Sequence, residues 1–160
     1  MSNDTTTLAA INAFLPGLMQ SRHSSDVIVR GSFVSRLFMG HYRRPCHDLD
    51  LLLLAPYDVK YIESLIIAAL GAANSALIRF LPETFELEEI WKQSLSPGVR
   101  ATVDFEYQGE VHSLQIDIAA NDPLALPPIS VKIENADNKN QVFTINTVPL
   151  EIAVSWKLHG

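Results

Sequence analysis

The segment RRPCHDLDLLLLA, residues 43–55, joins two closely spaced aspartates to a run of leucines typical of a buried strand. On a strand, side chains two residues apart point to the same face about 6.5 to 7 Å apart. Asp48 and Asp50 should therefore project together, while Leu49 and Leu51 enter the packed side. An unpaired carboxylate is costly to remove from water. The pair needs either solvent, at an exposed strand entrance, or a cation such as Mg²⁺, which carboxylates bind together with water and substrate phosphates.

The composition indicates one compact domain spanning residues 1–160, since a chain of this length that is 48% hydrophobic can bury its own core. The longest apolar runs are shorter than the roughly 20 residues needed to cross a bilayer. The N-terminus lacks the pattern of a secretory signal, and the single cysteine, Cys46, cannot form an internal disulfide. We therefore expect a cytoplasmic protein without a membrane segment.

The net charge of −6 argues against a protein that coats nucleic acid non-specifically, because such binding depends on neutralising phosphates. Basic side chains are nevertheless concentrated just before the aspartate pair. They are Arg30, Arg36, His41, Arg43, Arg44 and His47. This concentration indicates either a local anion site or an ordinary solvated surface.

Periodicity predicts strands mixed with helices along the whole chain. The predicted strands are 26–30, 47–55, 76–81, 99–107, 111–119, 129–134 and 141–147, and the last four form two hairpins. The predicted helices are 8–20 with a break at Pro16 and Gly17, 31–40 with Ser32 as N-cap, 58–71 capped by Asp58, and 149–160. Residues 83–94 are interpreted as a helix or a mobile excursion. The fold class is thus α/β or α+β, with a mixed, largely antiparallel sheet flanked by helices.

Further side chains could complete a site around the aspartate pair. Asp117 lies in another apolar strand and is either a third ligand or a solvent-facing residue; Asp104 competes for that position, but its neighbours suggest a polar outer face. Gly31 and Ser32 follow a strand and begin a helix, where free N–H groups attract phosphate or where a serine simply caps. Lys157 on the last helix either contacts an anion or extends into solvent.

In combination, these residues resemble the minimal signature of the polymerase-β-like nucleotidyltransferase superfamily. More narrowly, VRGSFVSRLFMGHYRRPCHDLDLLL at 29–53 resembles the nucleotidyltransferase toxins of the AbiEii/AbiGii type, and PLEIAVSWKLHG at 149–160 resembles their helix with a phosphate-binding lysine. Cys46 stands where that family usually has serine, and Ser32 where it often has glycine. The resemblance implies a polymerase-β-like core and suggests that residues 1–160 are the N-terminal domain of a longer protein with a helical C-terminal region.

The resemblance also implies an activity: metal-dependent transfer of a nucleoside monophosphate from a nucleoside triphosphate to a hydroxyl acceptor, in a toxin of a toxin–antitoxin or abortive-infection system. tRNA is the implied acceptor, and a cognate antitoxin is the implied protein partner. The implied ligands of two Mg²⁺ ions, with Mn²⁺ as the alternative, are the catalytic residues Asp48, Asp50 and Asp117. The implied nucleotide and phosphate contacts are Gly31, Ser32, Arg44 and Lys157.

Two alternatives remain open at the level of sequence. One is a nucleotidyltransferase with the same metal chemistry whose acceptor is an antibiotic or a protein hydroxyl. The other is a non-catalytic nucleotidyltransferase-like module that binds or regulates a partner. This second alternative predicts that Asp117 lies away from Asp48 and Asp50, or that Mg²⁺ and nucleotide do not bind.

Overall fold

The structure is a computed structural model, which describes residues 3–39, 46–90, 96–121, 124, 126–135 and 138–149. Its helices are α1 (Asn3–Gln20), α2 (Ser32–Met39) and α3 (Val59–Ala72), and a 3₁₀ turn spans Ser24–Asp26. Its strands are β1 (Val27–Arg30), β2 (Leu49–Leu53), β3 (Ile78–Ile90), β4 (Gly98–Tyr107), β5 (Glu110–Ala120), β6 (Ile129–Asn135) and β7 (Asn138–Thr147).

In the described part of the chain the strands form one seven-stranded sheet in the order β3-β4-β5-β2-β1-β7-β6. The pairs β2–β5 and β1–β7 are parallel, and all other neighbouring pairs are antiparallel. This confirms the predicted α+β class with a mixed, largely antiparallel sheet. The leucine run of β2 is explained by burial on both faces of this strand, since Leu51 and Leu53 lie in the main core and Leu52 belongs to a second buried cluster on the opposite face.

The helices share one hydrophobic core with one face of the sheet, to which alternate residues of β2, β4 and β5 contribute. Helix α1 crosses α3 closely at Gly17, where an added Cβ would lie 2.4 Å from the carbonyl oxygen of Ala69. The predicted break at Pro16 is wrong, since α1 continues through it to Gln20. Leu15 and Leu18 are completely buried on either side of the proline, and this packing offsets the helix hydrogen bond that proline cannot make.

The segment predicted as a helix or an excursion at 83–94 is instead strand as far as the structure describes it. Residues 86–90 pair with β4, after a register shift between Leu81 and Glu86. β3 lies at the edge of the sheet, where charged side chains are tolerated and discourage pairing with other chains. Its many glutamates therefore reflect the edge position rather than a helix.

The remaining element predictions within the described residues are confirmed. Asp58 caps α3 by accepting from the backbone N–H groups of Lys60 at 3.0 Å and Tyr61 at 3.3 Å. The hairpin between β4 and β5 turns through Gln108 and Gly109, both with positive φ, as a type I′ turn requires. The predicted helix at 149–160 lies outside the described residues. Within the described ranges, no helix combines the length and apolar character that crossing a bilayer demands.

Candidate active site

Three carboxylates meet on the sheet face opposite the helices. Asp48 immediately precedes β2, Asp50 lies within it, and the parallel pairing of β2 with β5 places Asp50 in register with Asp117. One ligand oxygen from each of the three lies within 4.8 Å of the others. We call these three residues the aspartate cluster. Asp104, the competing candidate, lies further along β4, where it accepts a hydrogen bond from Ser113 instead.

The charges of the cluster repel one another, and the described basic side chains offset this repulsion only in part. Burial, reinforced by repulsion from Asp48 and Asp117, raises the pKa of Asp50 to about 7, although Arg30 and Arg100 oppose this. Burial and the charge of Asp117 also raise the pKa of Asp48. Carboxylate oxygens are the ligands that Mg²⁺ prefers, and a divalent cation would relieve this repulsion. The donor set therefore fits a hard metal ion.

Gly31 is in direct contact with Asp50. Its φ of +81° is a conformation that other residues rarely adopt, and an added Cβ would lie 2.2 Å from Oδ2 of Asp50. Its carbonyl accepts from the backbone N–H of Ser35 at 3.0 Å, the first hydrogen bond of α2. Gly31 therefore takes the capping position that the sequence assigned to Ser32, and it brings the start of α2 against the aspartate cluster.

Ser32 is the first residue of α2, and its hydroxyl is directed toward Cys46. The hydroxyl donates to the Cys46 thiol at 3.5 Å, and the thiol donates to the backbone carbonyl of Asp48 at 3.4 Å. Cys46 is fully buried, so its thiol is a packed side chain without access to solvent. These contacts connect the helix start to the backbone that carries Asp48.

Sequence reasoning missed two side chains of this site, Arg100 and Gln115. Arg100 forms a two-bond ion pair with Asp117, with Nε 3.0 Å from Oδ1 and Nη2 3.2 Å from Oδ2. The Gln115 amide donates to Oδ2 of Asp48 at 3.3 Å and to Oδ2 of Asp117 at 3.4 Å. The signal was present, because a two-residue turn at 108–109 fixes the hairpin register, and counting back along both strands places Arg100 opposite Asp117.

Comparison with known proteins identifies the family. The family model described as "Nucleotidyl transferase AbiEii toxin, Type IV TA system" matches residues 13–160. The chain belongs to the AbiEii nucleotidyltransferase toxin family. A search of curated proteins found no match.

Two solved structures share the fold of this AbiEii family chain. JHP933 from Helicobacter pylori is 17% identical, with a TM-score of 0.62 over 99% of this chain and 57% of that one. A second H. pylori structure, described as a nucleotidyltransferase, is also 17% identical, with a TM-score of 0.62 over 99% of this chain and 59% of that one. The chain thus spans less than two thirds of the length of either protein.

The predicted site residues of this AbiEii family member fall into two groups. The structure brings together Asp48, Asp50, Asp117 and Gly31, with Ser32 at the adjoining helix start. Arg44 and Lys157 lie outside the described residues, so their assignment stays a prediction. The carboxylates converge, as the enzyme hypothesis predicts. The non-catalytic alternative predicted either that Asp117 would lie apart or that Mg²⁺ and nucleotide would not bind, and only the first of these is excluded.

Proposed function

We propose that this AbiEii family protein is a metal-dependent nucleotidyltransferase. It transfers a nucleoside monophosphate from a nucleoside triphosphate to a hydroxyl acceptor and acts as the toxin of a toxin–antitoxin or abortive-infection system in the cytoplasm. The observation that carries the proposal is the aspartate cluster, with oxygens within 4.8 Å of one another. The choice of tRNA as acceptor and of an antitoxin as partner rests on the family resemblance. Residues 1–160 are proposed as one nucleotidyltransferase domain of a longer protein.

Asp48, Asp50 and Asp117 are the proposed ligands of two Mg²⁺ ions, or of Mn²⁺. Two such ions, when bound, neutralise the charge of the triphosphate and favour ionisation of the acceptor hydroxyl. The protein contributes rigid placement, because Asp50 and Asp117 lie on paired strands and Gln115 contacts both Asp48 and Asp117. Asp117 either completes the second metal site or accepts the proton of the hydroxyl.

The start of α2 is the proposed phosphate contact. Its first backbone N–H groups have no partner within the helix, and the positive end of the helix dipole favours an anion. Gly31 has no side chain between this helix start and Asp50, so a phosphate bound there would lie next to the aspartate cluster. Ser32, Arg44 and Lys157 are proposed as additional phosphate contacts on the basis of the resemblance.

The reaction breaks a phosphoanhydride bond of the nucleoside triphosphate and forms a phosphoester bond to the acceptor. The acceptor oxygen attacks the α-phosphorus, the bond from that phosphorus to the oxygen bridging to the β-phosphate breaks, and pyrophosphate leaves with the electron pair. The acceptor proton passes to a carboxylate or to solvent. No oxidant or further co-reactant is needed.

The test incubates the full-length protein with each α-labelled nucleoside triphosphate, Mg²⁺ and total tRNA. We expect label in RNA, and its loss to background in the double variant Asp48→Ala, Asp50→Ala. Asp104→Ala is the matched control, since this carboxylate lies on the same sheet face but outside the cluster. Label transfer that persists in the double variant would reject the mechanism.

Screening of antibiotics and proteins as acceptors distinguishes the other members of this reaction class. Label on one of these and none on tRNA would retain the metal chemistry and replace the proposed acceptor. An absence of transfer to every acceptor, together with no binding of Mg²⁺ and nucleotide, would instead favour the non-catalytic module.

A further inference from the structure

Among the described residues, Asp117 is the carboxylate of the aspartate cluster for which an ion pair with an arginine is observed. Arg100 donates one hydrogen bond to each of its oxygens, and Gln115 donates a third to Oδ2. A carboxylate accepts about four hydrogen bonds, so these three leave little capacity for another ligand. The Asp117 side chain is 8% exposed, which makes the loss of its counter-ion costly.

The charge of Arg100 reaches the whole aspartate cluster. Its guanidinium lowers the pKa of Asp48 and of Asp50, against the larger raising effect of burial. Arg100 lies on β4 directly across from Asp117, and its side chain is 39% exposed, so it can move without disturbing the core. The arginine thus stands where a second divalent ion would compete with it.

We propose that Arg100 is a positioning residue that serves as the internal counter-ion of Asp117, so that divalent ions bind first at Asp48 and Asp50 and only then, more weakly, at Asp117. The inference rests on the proposed metal-dependent function and specifies the order in which that site fills. The second ion must share Asp117 with a guanidinium or displace it, and the positive charge of Arg100 repels the ion in either case. When only one ion is bound, the same ion pair keeps Asp117 oriented and its charge compensated.

A second arginine of the sheet provides a matched control. Arg79 forms the same two-bond ion pair with Glu106, with Nε 3.0 Å from Oε2 and Nη2 2.7 Å from Oε1. Glu106 is six residues along β4 from Arg100, a separation of about 20 Å at about 3.3 Å per residue. This exceeds the screening length of about 10 Å in 0.1 M salt, so Arg79→Gln removes the same charge and geometry without acting on the cluster.

The experiment titrates the full-length protein with Mn²⁺ alone and follows the free ion by electron paramagnetic resonance. The wild-type protein should bind the first Mn²⁺ ion more tightly than the second. Arg100→Gln should strengthen binding of the second ion about tenfold, as expected when a charge-assisted contact no longer competes. Arg100→Lys keeps the positive charge but cannot donate two parallel hydrogen bonds, so it should give an intermediate affinity for the second ion. Arg79→Gln should match the wild-type protein.

A double-variant cycle tests whether the effect passes through Asp117. In an Asp117→Asn background, Arg100→Gln should no longer produce the tenfold increase. Second-ion binding in Arg100→Gln that is equal to or weaker than in Arg79→Gln would overturn the inference. If circular dichroism shows that Arg100→Gln does not fold, second-ion binding in Arg100→Lys is compared with that in Arg79→Gln instead.

The outcomes also separate this inference from the proposed function. Unchanged protein that binds no Mn²⁺ would refute the proposed metal site and the filling order with it. Unchanged protein that binds Mn²⁺ while the arginine variants behave alike would refute the filling order and leave the metal site standing.

Discussion

Asp50→Asn should stabilise the metal-free protein at pH 8 while removing a proposed metal ligand. The pKa of Asp50 is raised in the folded protein from 3.8 to about 7, so the folded state holds a proton that the unfolded state releases. The contribution of Asp50 to stability is therefore fully present below about pH 4 and is lost as the pH rises toward and through 7. Asparagine has nearly the same shape and no charge, so the variant should escape this loss.

The expected size of this effect follows from the same pKa difference. Each pKa unit corresponds to about 1.4 kcal/mol, so the difference between 3.8 and about 7 amounts to at most about 4 kcal/mol. Asp50 is only half-buried, and solvent screens part of its charge, so we expect a gain of about 2 kcal/mol. For a domain of this size, that corresponds to a rise in Tm of about 4–8 °C.

The assay is urea unfolding in EDTA at pH 4 and at pH 8, followed by a titration with Mg²⁺ at pH 8. The variant should equal the unchanged protein at pH 4 and exceed its stability at pH 8, and Mg²⁺ should stabilise only the unchanged protein. Asp104→Asn, which removes a carboxylate outside the cluster, is the control and should leave the stabilisation by Mg²⁺ intact. A variant that is less stable at pH 8, or whose advantage is the same at both pH values, would refute this account of the cluster.

Three further variants test the elements that position the site. Gly31→Ala places a methyl group 2.2 Å from an oxygen of Asp50 and forces alanine into positive φ. Calorimetry should show a loss of at least about 2 kcal/mol in the free energy of unfolding, and Mn²⁺ binding should weaken. Normal values of both would contradict the contact. Asp58→Ala removes the cap of α3 and should lower the free energy of unfolding measured in urea by about 1 kcal/mol without changing metal affinity. Tyr61→Phe removes a hydroxyl that donates to Asp26, so Tm should fall by the equivalent of about 1–2 kcal/mol, and an unchanged Tm would show that this bond contributes nothing.

Local sequence patterns were sufficient to predict much of the site. Alternation along β2 placed Asp48 and Asp50 on one face, and the strand-to-helix passage at Gly31 predicted the adjoining helix start. These features depend on residues near one another in sequence, where the two-residue period of a strand and the turn preference of glycine act directly. The same local signals predicted the hairpin from β4 to β5.

Other features depend on contacts between residues that are distant in sequence, and for these the local sequence pattern gave wrong predictions. A break was predicted at Pro16 and Gly17 in a helix that burial of neighbouring residues keeps continuous. Residues 83–94 were interpreted as a helix or a mobile excursion, whereas residues 86–90 pair with β4 as an edge strand. Propensity differences of less than about 1 kcal/mol per residue are readily overridden by packing and by sheet hydrogen bonds.

By itself, the sequence determined the aspartate pair, the glycine before α2 and the family to which the chain belongs. Only the tertiary structure decided that Asp117 meets that pair and that Arg100 holds it, because the register of β2 on β5 joins residues far apart along the chain. Alternation tells which face a side chain points to, whereas the neighbour it meets there depends on how the whole sheet assembles around its core.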